Sequence, residues 1–505
     1  MTLEATSNDI KDLLTRAAAS QESACDIINN FNYYVPDAVI QRRYMFSGDV
    51  RELALRAVKL LEDVPRARPH LSYYYEMIAE RRFIPAGNTL VAGIKPLQPN
   101  CSIIGRVYEQ NYDEVEARCR VLWASRIGVG FDLSFCLDPV AVLLRLSAAN
   151  HAVDVGDWRP KRGNIATLSI DHPRVMEFVR CKSGSREDAD RLYNFNISVA
   201  VSDKFMKAAS LPDTRAAATL RKIAKHAHAY GDPGLVFIDR AQDGHEPIVT
   251  AVPCGEQFMH TDETCNLGAI NLDAFVGPCG SFDVKGYRKC ASMATRFLDT
   301  MVDLLEIPDK AMAERTRALR RVGLGVMGFA TALQAMGIPY ESESALRFGA
   351  YLASILTSSA LETSILMAEK LGGHAWDGMR RNISVTCIAP TGGIRRLVGT
   401  DGFAIEPLFS SGKRPSPEFE VRMMGAWQRH IENAISKTVV LPGDATPERI
   451  RDLFLLAYEH GCKGITVYRD GSRSNQPIKV CDGDSCEIVL KKETGLSNDG
   501  SVPSD

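Results

Sequence analysis

The sequence predicts an α/β protein with largely parallel strands, and three observations carry that prediction. Short apolar runs at 164–170, 195–201, 235–238, 384–388 and 464–468 have the length and β-branched content of buried strands. Helical periodicity recurs between most of them, and alternation of this kind indicates strand–helix–strand crossovers in a parallel sheet. The 505 residues are 45% apolar and 24% charged, with 38 Gly and 24 Pro, an ordinary globular composition that excludes disordered, collagen-like and coiled-coil chains. By length they make about three domain-sized portions, or one large barrel with additions.

The elements follow in order. Apolar residues recur at helical spacing over 51–64 and 112–126. The helix over 214–230 is expected to stop at Gly231-Asp-Pro233, where glycine can take the left-handed cap and proline cannot continue. The stretch 322–341 is uncharged until Glu341 and rich in Gly and Ala, which predicts a buried helix rather than a membrane span. A long helix over 342–371 is closed by Gly372-Gly373, and Thr446-Pro447-Glu448 opens another with a polar cap and a first-turn proline. Beyond Tyr468 the chain turns polar, and the expected organisation is an N-terminal helical region over 1–80, an α/β portion over 81–471 and a mobile tail over 472–505.

Sixty basic and 62 acidic side chains leave a net charge of −2, which gives no field for nucleic acid or an anionic membrane. Residues 1–9 have neither the basic region nor the apolar core of a signal peptide, so the expected location is cytoplasmic, with no transmembrane segment. Thirteen cysteines are too sparse for a disulfide scaffold and odd in number, which fits a reducing compartment.

Cys254 lies in Val252-Pro-Cys-Gly-Glu256, where proline before and glycine after suit a tight loop that lifts the thiol into a cavity. A carboxylate neighbour raises a thiol pKa, so Glu256 argues against a thiolate nucleophile. It remains compatible with loss of a hydrogen atom from the thiol while the carboxylate handles a substrate proton. A cysteine packed in a turn is the plain alternative. Cys265 lies in Thr264-Cys-Asn-Leu-Gly-Ala-Ile-Asn-Leu272, Cys101 in Gln98-Pro-Asn-Cys-Ser102, and Cys481 and Cys486 in the polar tail. Two tail thiols can close as a disulfide and exchange with another pair. Zinc is their rival use, but the sequence has no Cys-x-x-Cys and no His near them, and no metal ligand is assigned. The other eight cysteines read as packing residues.

Several motifs then occur in order: Pro253-Cys-Gly-Glu-Gln257, Thr264–Leu272, Gly323-Leu-Gly-Val-Met-Gly328, Ala389-Pro-Thr-Gly-Gly393, Gly402-Phe-Ala-Ile-Glu-Pro407 and Lys463-Gly-Ile-Thr-Val-Tyr-Arg-Asp-Gly-Ser-Arg473. Weaker ones lie upstream at Arg82–Leu90, Gly128–Ser134, Arg162–Pro173 and Phe195–Val199. Together they resemble the adenosylcobalamin-dependent, class II ribonucleotide reductases, colinearly from about Asn32 to Cys486.

The resemblance implies a ten-stranded α/β barrel around a finger loop whose tip, Cys254, becomes a thiyl radical and abstracts the ribose 3′-hydrogen. Glu256 would take the 3′-hydroxyl proton as water leaves C2′. Cys101 and Cys265 would supply two reducing equivalents and close as a disulfide, and Cys481 and Cys486 would re-reduce them with electrons from a thioredoxin- or glutaredoxin-type partner. Pro390, Thr391, Gly392 and Gly393 match the substrate-phosphate loop, whose small residues let backbone N–H groups approach an anion. Asn100 and Ser102, either side of Cys101, are placed with the substrate, as is position 252. Arg395 and Arg396 follow the loop, either as phosphate contacts or on a solvated face. The cofactor implied is adenosylcobalamin, whose cobalt–carbon homolysis starts the radical. The sequence has no C-terminal glycyl-radical motif and no adjacent tyrosines near its end, as the other radical sources would require. The implied assembly is a homodimer.

Three features depart from the family pattern. Val252 stands where the family has an asparagine that hydrogen-bonds the ribose. The chain between Ser134 and Arg162 is short and lacks the Gly/Ser-rich effector region. The region before Asn32 is too short for an ATP-binding activity domain. Reduction of ribonucleotides is the leading expectation. A diverged thiyl-radical enzyme acting on a modified nucleotide or specialised metabolite is the alternative, and a non-catalytic nucleotide-binding homologue ranks last.

Overall fold

A computed structural model of the chain describes residues 34–153, 163–183, 191–407 and 414–472. Its strands are β1 (Phe83–Pro85), β2 (Cys101–Arg106), β3 (Gly128–Asp132), β4 (Asn164–Ser169), β5 (Phe195–Val201), β6 (Gly234–Phe237), β7 (Thr250–Ala251), β8 (Phe258–Met259), β9 (Glu263–Thr264), β10 (Asn266–Asn271), β11 (Val322–Met327), β12 (Thr438–Leu441) and β13 (Gly464–Arg469).

Two five-strand halves form a hoop. In the first, β2, β3, β4, β5 and β6 run parallel in that order. In the second, β10 and β11 are parallel, the segment 384–388 joins them through the parallel bridge Leu324–Thr386, and β12 and β13 follow in parallel. The segment reaches the chain just before β12 through the bridge Ile388–Ile435. The halves meet antiparallel at both seams, β13 on β6 and β9 on β2. At the second seam Cys265 links β9 to β10, and its N–H donates to the Cys101 carbonyl at 3.1 Å. This is the ten-stranded barrel that the resemblance implies.

Parallel strands need crossovers, and the helices that supply them cover the outside of the hoop. Tyr112–Ala124, Pro139–His151, Arg215–Tyr230 and Pro447–Glu459 share one core with the first half. Val284–Leu304 and Glu343–Leu371 share a second core with the other half. That second core also takes in the N-terminal helices Ala38–Tyr44, Val50–Lys59 and Leu71–Ala79, so hydrophobic burial is continuous across residue 80. Helix ends form where the sequence signals them: Gly231 has φ +68° beneath Tyr230, and the Thr446 side chain accepts from the Arg449 N–H.

Two expectations are corrected. The stretch 322–341 is no single helix: Val322–Met327 is strand, and the short helix Phe329–Ala335 follows Gly328 at φ +72°. An uninterrupted apolar run fits a doubly buried strand as well as a buried helix, so periodicity could not separate them. The run 384–388 is an extended segment held by two bridges rather than a regular strand. The helix Glu343–Leu371 is long and apolar enough to cross a membrane, yet more than half of its most apolar window is buried inside the protein. The tail expected to be mobile, with Cys481 and Cys486, lies outside the described residues beyond Ser472, as does 154–162 in the shortened region.

Inside the hoop runs a hairpin, β7 paired antiparallel with β8, which carries Val252–Gln257 at its tip. Glycines make room for it on both sides. A Cβ on Gly130 of β3 would come within 2.3 Å of the Ala251 carbonyl oxygen, and one on Gly323 of β11 within 2.4 Å of Gln257 Nε2.

Candidate active site

The fingertip is a tight turn. Val252 N–H donates to the Gln257 carbonyl and Gly255 N–H to the Val252 carbonyl, each at 2.8 Å, with Gly255 at φ +79°. Proline presets the turn and glycine accepts the left-handed geometry, so Cys254 projects from the tip and is exposed.

Both barrel halves hold the tip in place. From the first half, Asn196 Nδ2 donates to the Pro253 carbonyl at 2.7 Å. From the second, Ala434 N–H donates to the Glu256 carbonyl at 3.1 Å. Asn433 is the main anchor: its Oδ1 accepts from Phe258 N–H at 2.7 Å and its Nδ2 donates to the Phe258 carbonyl at 3.0 Å. Buried backbone polar groups must be satisfied, and these side chains satisfy the finger. Asn196 lies in a motif the sequence displays. Asn433 had no signal, being 175 residues from its partner in the chain.

Cys254 lines two cavities. The first, of about 270 Å³, is bounded by Asn100, Cys101, Cys254, Glu256, the loop Pro390-Thr-Gly-Gly393 and, from the N-terminal helix, Arg43 and Tyr44. Glu256 is 2% exposed. Burial pushes its carboxyl from 4.5 up to about 7. Among the described residues its Oε2 has no hydrogen-bond partner. A buried acceptor near neutrality with an unmet bond, lining a cavity beside a thiol, suits a proton acceptor awaiting a substrate hydroxyl.

The loop at the other end is held in a strained form. Thr391 has φ +58° and Ala404 φ +41°. The Thr391 hydroxyl accepts from Ala404 N–H at 3.0 Å and donates to the Pro390 carbonyl at 2.7 Å. The motif around Ala404 therefore fixes the loop and leaves Gly392 and Gly393 on the cavity. Arg396 forms an ion pair with Asp37. Arg395 is buried, with Nη1 bonded to the Thr400 carbonyl at 3.0 Å and its guanidinium 4.9 Å from the Phe403 ring centre. Neither arginine lines the cavity.

Three residues singled out by the sequence lie behind the cavity wall. Ser102 is buried in β2, its hydroxyl on the Gly128 carbonyl at 3.3 Å. Cys265 and Val252, both 0% exposed, belong to one apolar cluster with Ala86, Cys101, Ile103, Met259, Leu267 and Cys387. Cys101 thus has Cys265 behind it while lining the cavity in front. Cys387, read from sequence as a packing residue, is in the same cluster, and burial raises its thiol pKa further.

The second cavity, of about 320 Å³, lies against another face of the tip, lined by Pro253, Cys254 and Gly255 together with Asn196, Ser198, Asp232, Lys437, Thr466 and Tyr468. It sits at the β6–β13 seam. A Cβ on Gly234 there would come within 3.1–3.2 Å of the Ile465 carbonyl, Ser198 Oγ and Thr466 Oγ1, so glycine keeps the floor open.

Residues 138–216, 212–380 and 404–468 match the family described as ribonucleotide reductase, barrel domain. A protein of Mycobacterium tuberculosis named vitamin B12-dependent ribonucleoside-diphosphate reductase is 34% identical over 453 residues, covering 69% of this chain and 63% of that protein. A protein of the same name from Thermoplasma acidophilum is 27% identical over 513 residues, covering 81% of this chain and 66% of that one. The chain therefore spans just under two thirds of the length of these relatives. Among solved structures, the alpha subunit of the class Id ribonucleotide reductase of Actinobacillus ureae aligns with a TM-score of 0.73 over 86% of this chain and 96% of that one, at 16% identity, a likeness of fold. The matched barrel segments exceed half of the sequence, and the chain belongs to the ribonucleotide reductase barrel-domain family.

Proposed function

We propose that the protein reduces the 2′-position of ribonucleotides to give 2′-deoxyribonucleotides by thiyl-radical chemistry, with adenosylcobalamin as radical source. The observation that carries this is the position of Cys254 between two cavities, with Glu256 and Cys101 opening into one of them. The relatives named for vitamin B12 dependence support the choice of cofactor.

The second cavity suits the adenosyl end of that cofactor. It touches the thiol, offers donors and acceptors from Asn196, Ser198 and Thr466 beside the ion-paired Asp232 and Lys437, and has a glycine floor that any side chain would narrow. When bound, the cofactor supplies the initiating radical by cobalt–carbon homolysis. The other steps belong to the protein. Cys254 takes the 3′-hydrogen of a nucleotide in the first cavity and later returns it. Glu256 accepts the 3′-hydroxyl proton, for which a carboxyl near 7 is well matched. The 2′-hydroxyl leaves as water, and the two electrons and two protons required come from Cys101 and Cys265, which close as a disulfide. The backbone at Gly392 and Gly393 receives the 5′-phosphates. Re-reduction through Cys481 and Cys486 by a thioredoxin- or glutaredoxin-type protein, cytoplasmic location and homodimerisation belong to the same proposal.

The test is anaerobic incubation with adenosylcobalamin, a dithiol and a panel of nucleoside di- and triphosphates. Deoxynucleotide is the expected product. Absence of any deoxy product with cofactor and nucleotide both bound overturns the proposal.

A further inference from the structure

We propose that Arg43 holds the terminal phosphate of the substrate and sets the preference for a nucleoside diphosphate; this rests on the reading of the first cavity as a nucleotide site. Arg43 lies in the last turn of the helix Ala38–Tyr44, and that helix is fixed at both ends. At its start, Asp37 caps the Val39 and Ile40 N–H groups and pairs with Arg396, four residues after the small-residue stretch Gly392-Gly393 begins. At its end, Arg56 donates to the Tyr44 and Met45 carbonyls, at 2.9 Å each. The helix C-terminus is thus pinned where Arg43 and Tyr44 line the cavity.

The contact with the phosphate loop is close. A Cβ on Gly393 would come within 2.5 Å of the Tyr44 hydroxyl oxygen and 3.3 Å of Arg43 Cζ and Nε. Only glycine fits there, and the guanidinium rests against the loop backbone. The head group lies 6.0 Å from the Tyr44 ring centre and has no carboxylate partner among the described residues.

Charge is segregated along the cavity. Among the described residues of its lining, Arg43 is the one cation and Glu256 the one carboxylate, and they sit with the glycine loop and with the thiol respectively. A nucleotide whose ribose faces Cys254 and Glu256 therefore directs its phosphates toward Gly392, Gly393 and Arg43. The loop can receive the α-phosphate through backbone N–H groups, and the planar guanidinium suits bidentate contact with a terminal phosphate. One cation matches one terminal phosphate. A γ-phosphate would add charge with no further cation among the described residues of the lining, since Arg395 and Arg396 are committed elsewhere.

The experiment is equilibrium titration of the full chain with cytidine, cytidine diphosphate and cytidine triphosphate, followed by steady-state kinetics with the diphosphate. The wild type is expected to bind the diphosphate more tightly than cytidine or the triphosphate. Arg43→Gln is expected to weaken the diphosphate by about 10–100-fold, the worth of a charge-assisted hydrogen bond, and to leave cytidine unchanged. KM should rise with kcat within about threefold, and Arg43→Lys, which keeps the charge but loses the fork, should fall between. Should Arg43→Gln melt early, Arg43→Lys decides: diphosphate affinity equal to wild type overturns the proposal. Wild-type affinity in a folded Arg43→Gln overturns it too, while the nucleotide reading stands. If the wild type binds no nucleotide, the reading of the cavity falls and Arg43 with it.

Discussion

The two cavities that meet at Cys254 differ in how charge is arranged. On the Glu256 side, among the described residues, a single carboxylate at the thiol end faces a single arginine at the glycine loop, an arrangement that orients a ligand with a neutral reacting end and an anionic end. On the Asn196 side, Asp232 and Lys437 are interspersed with neutral donors and acceptors around a glycine floor, which favours a ligand held by hydrogen bonds and shape. The difference teaches that the fingertip is a partition. On the proposed reading one side prepares a proton transfer and the other presents the thiol to a separate reagent, with Cys254 and Pro390 lining both.

The largest expected effect removes the partition itself. Cys254→Ser should lower deoxynucleotide formation by at least ~10³-fold while leaving both ligand affinities intact. Residual turnover near wild type would mean that no hydrogen atom crosses at this residue. Next, Glu256→Gln should cost roughly 10²–10⁴-fold in kcat, the usual worth of a positioned acid–base group. Wild-type activity should rise with pH through about 7 as the carboxylate forms, a limb the variant lacks. The same substitution has a stability signature. The unfolded chain ionises this group near 4.5 and the folded chain near 7, so ionisation burdens the fold increasingly between those values and fully above them. Glu256→Gln should therefore raise the melting temperature relative to wild type at pH 8 and not at pH 4; equal shifts at both would refute the assignment to burial.

A third substitution separates the cavities. Gly234→Val should weaken adenosylcobalamin about tenfold, in line with overpacking costs of about 1–3 kcal/mol, with nucleotide affinity unchanged. Parallel loss of both ligands would show that the two spaces act as one. The smallest effect on activity is expected from Val252→Asn. Because Val252 packs with Cys101, Cys265 and Cys387, an amide there should cost about 1–3 kcal/mol of stability in denaturant titration and give no gain in reduction. A large gain would instead identify position 252 as a substrate contact in a repurposed site.

Much of the first half of the barrel was legible, because β4, β5 and β6 are short apolar runs doubly buried in a regular parallel sheet. The second half was read less well. Its segment 384–388 pairs only through single bridges, and the strand β11 sits in an apolar run that a helix could also have claimed. The chemistry-bearing motifs stood out because turn and loop residues keep their identity for local reasons, as in Pro253-Cys-Gly255. Asn433 and Arg43 did not, since each acts through a contact formed by folding, one across 175 residues and the other from an otherwise ordinary helix. Val252 reads in sequence as a missing substrate contact. Its burial beside Cys265 follows from how the fingertip turn points, which sequence spacing does not specify.

The central claim, that a thiyl radical at Cys254 takes a hydrogen atom from C3′ of a nucleotide in the Glu256 cavity, is tested most directly with a nucleoside diphosphate deuterated at C3′. In anaerobic single-turnover reactions with adenosylcobalamin and dithiol, deoxynucleotide should form more slowly from the deuterated substrate than from the unlabelled one, with deuterium retained at C3′ of the product. Equal rates for the deuterated and unlabelled substrates, under conditions where the chemical step limits the single turnover, would contradict it.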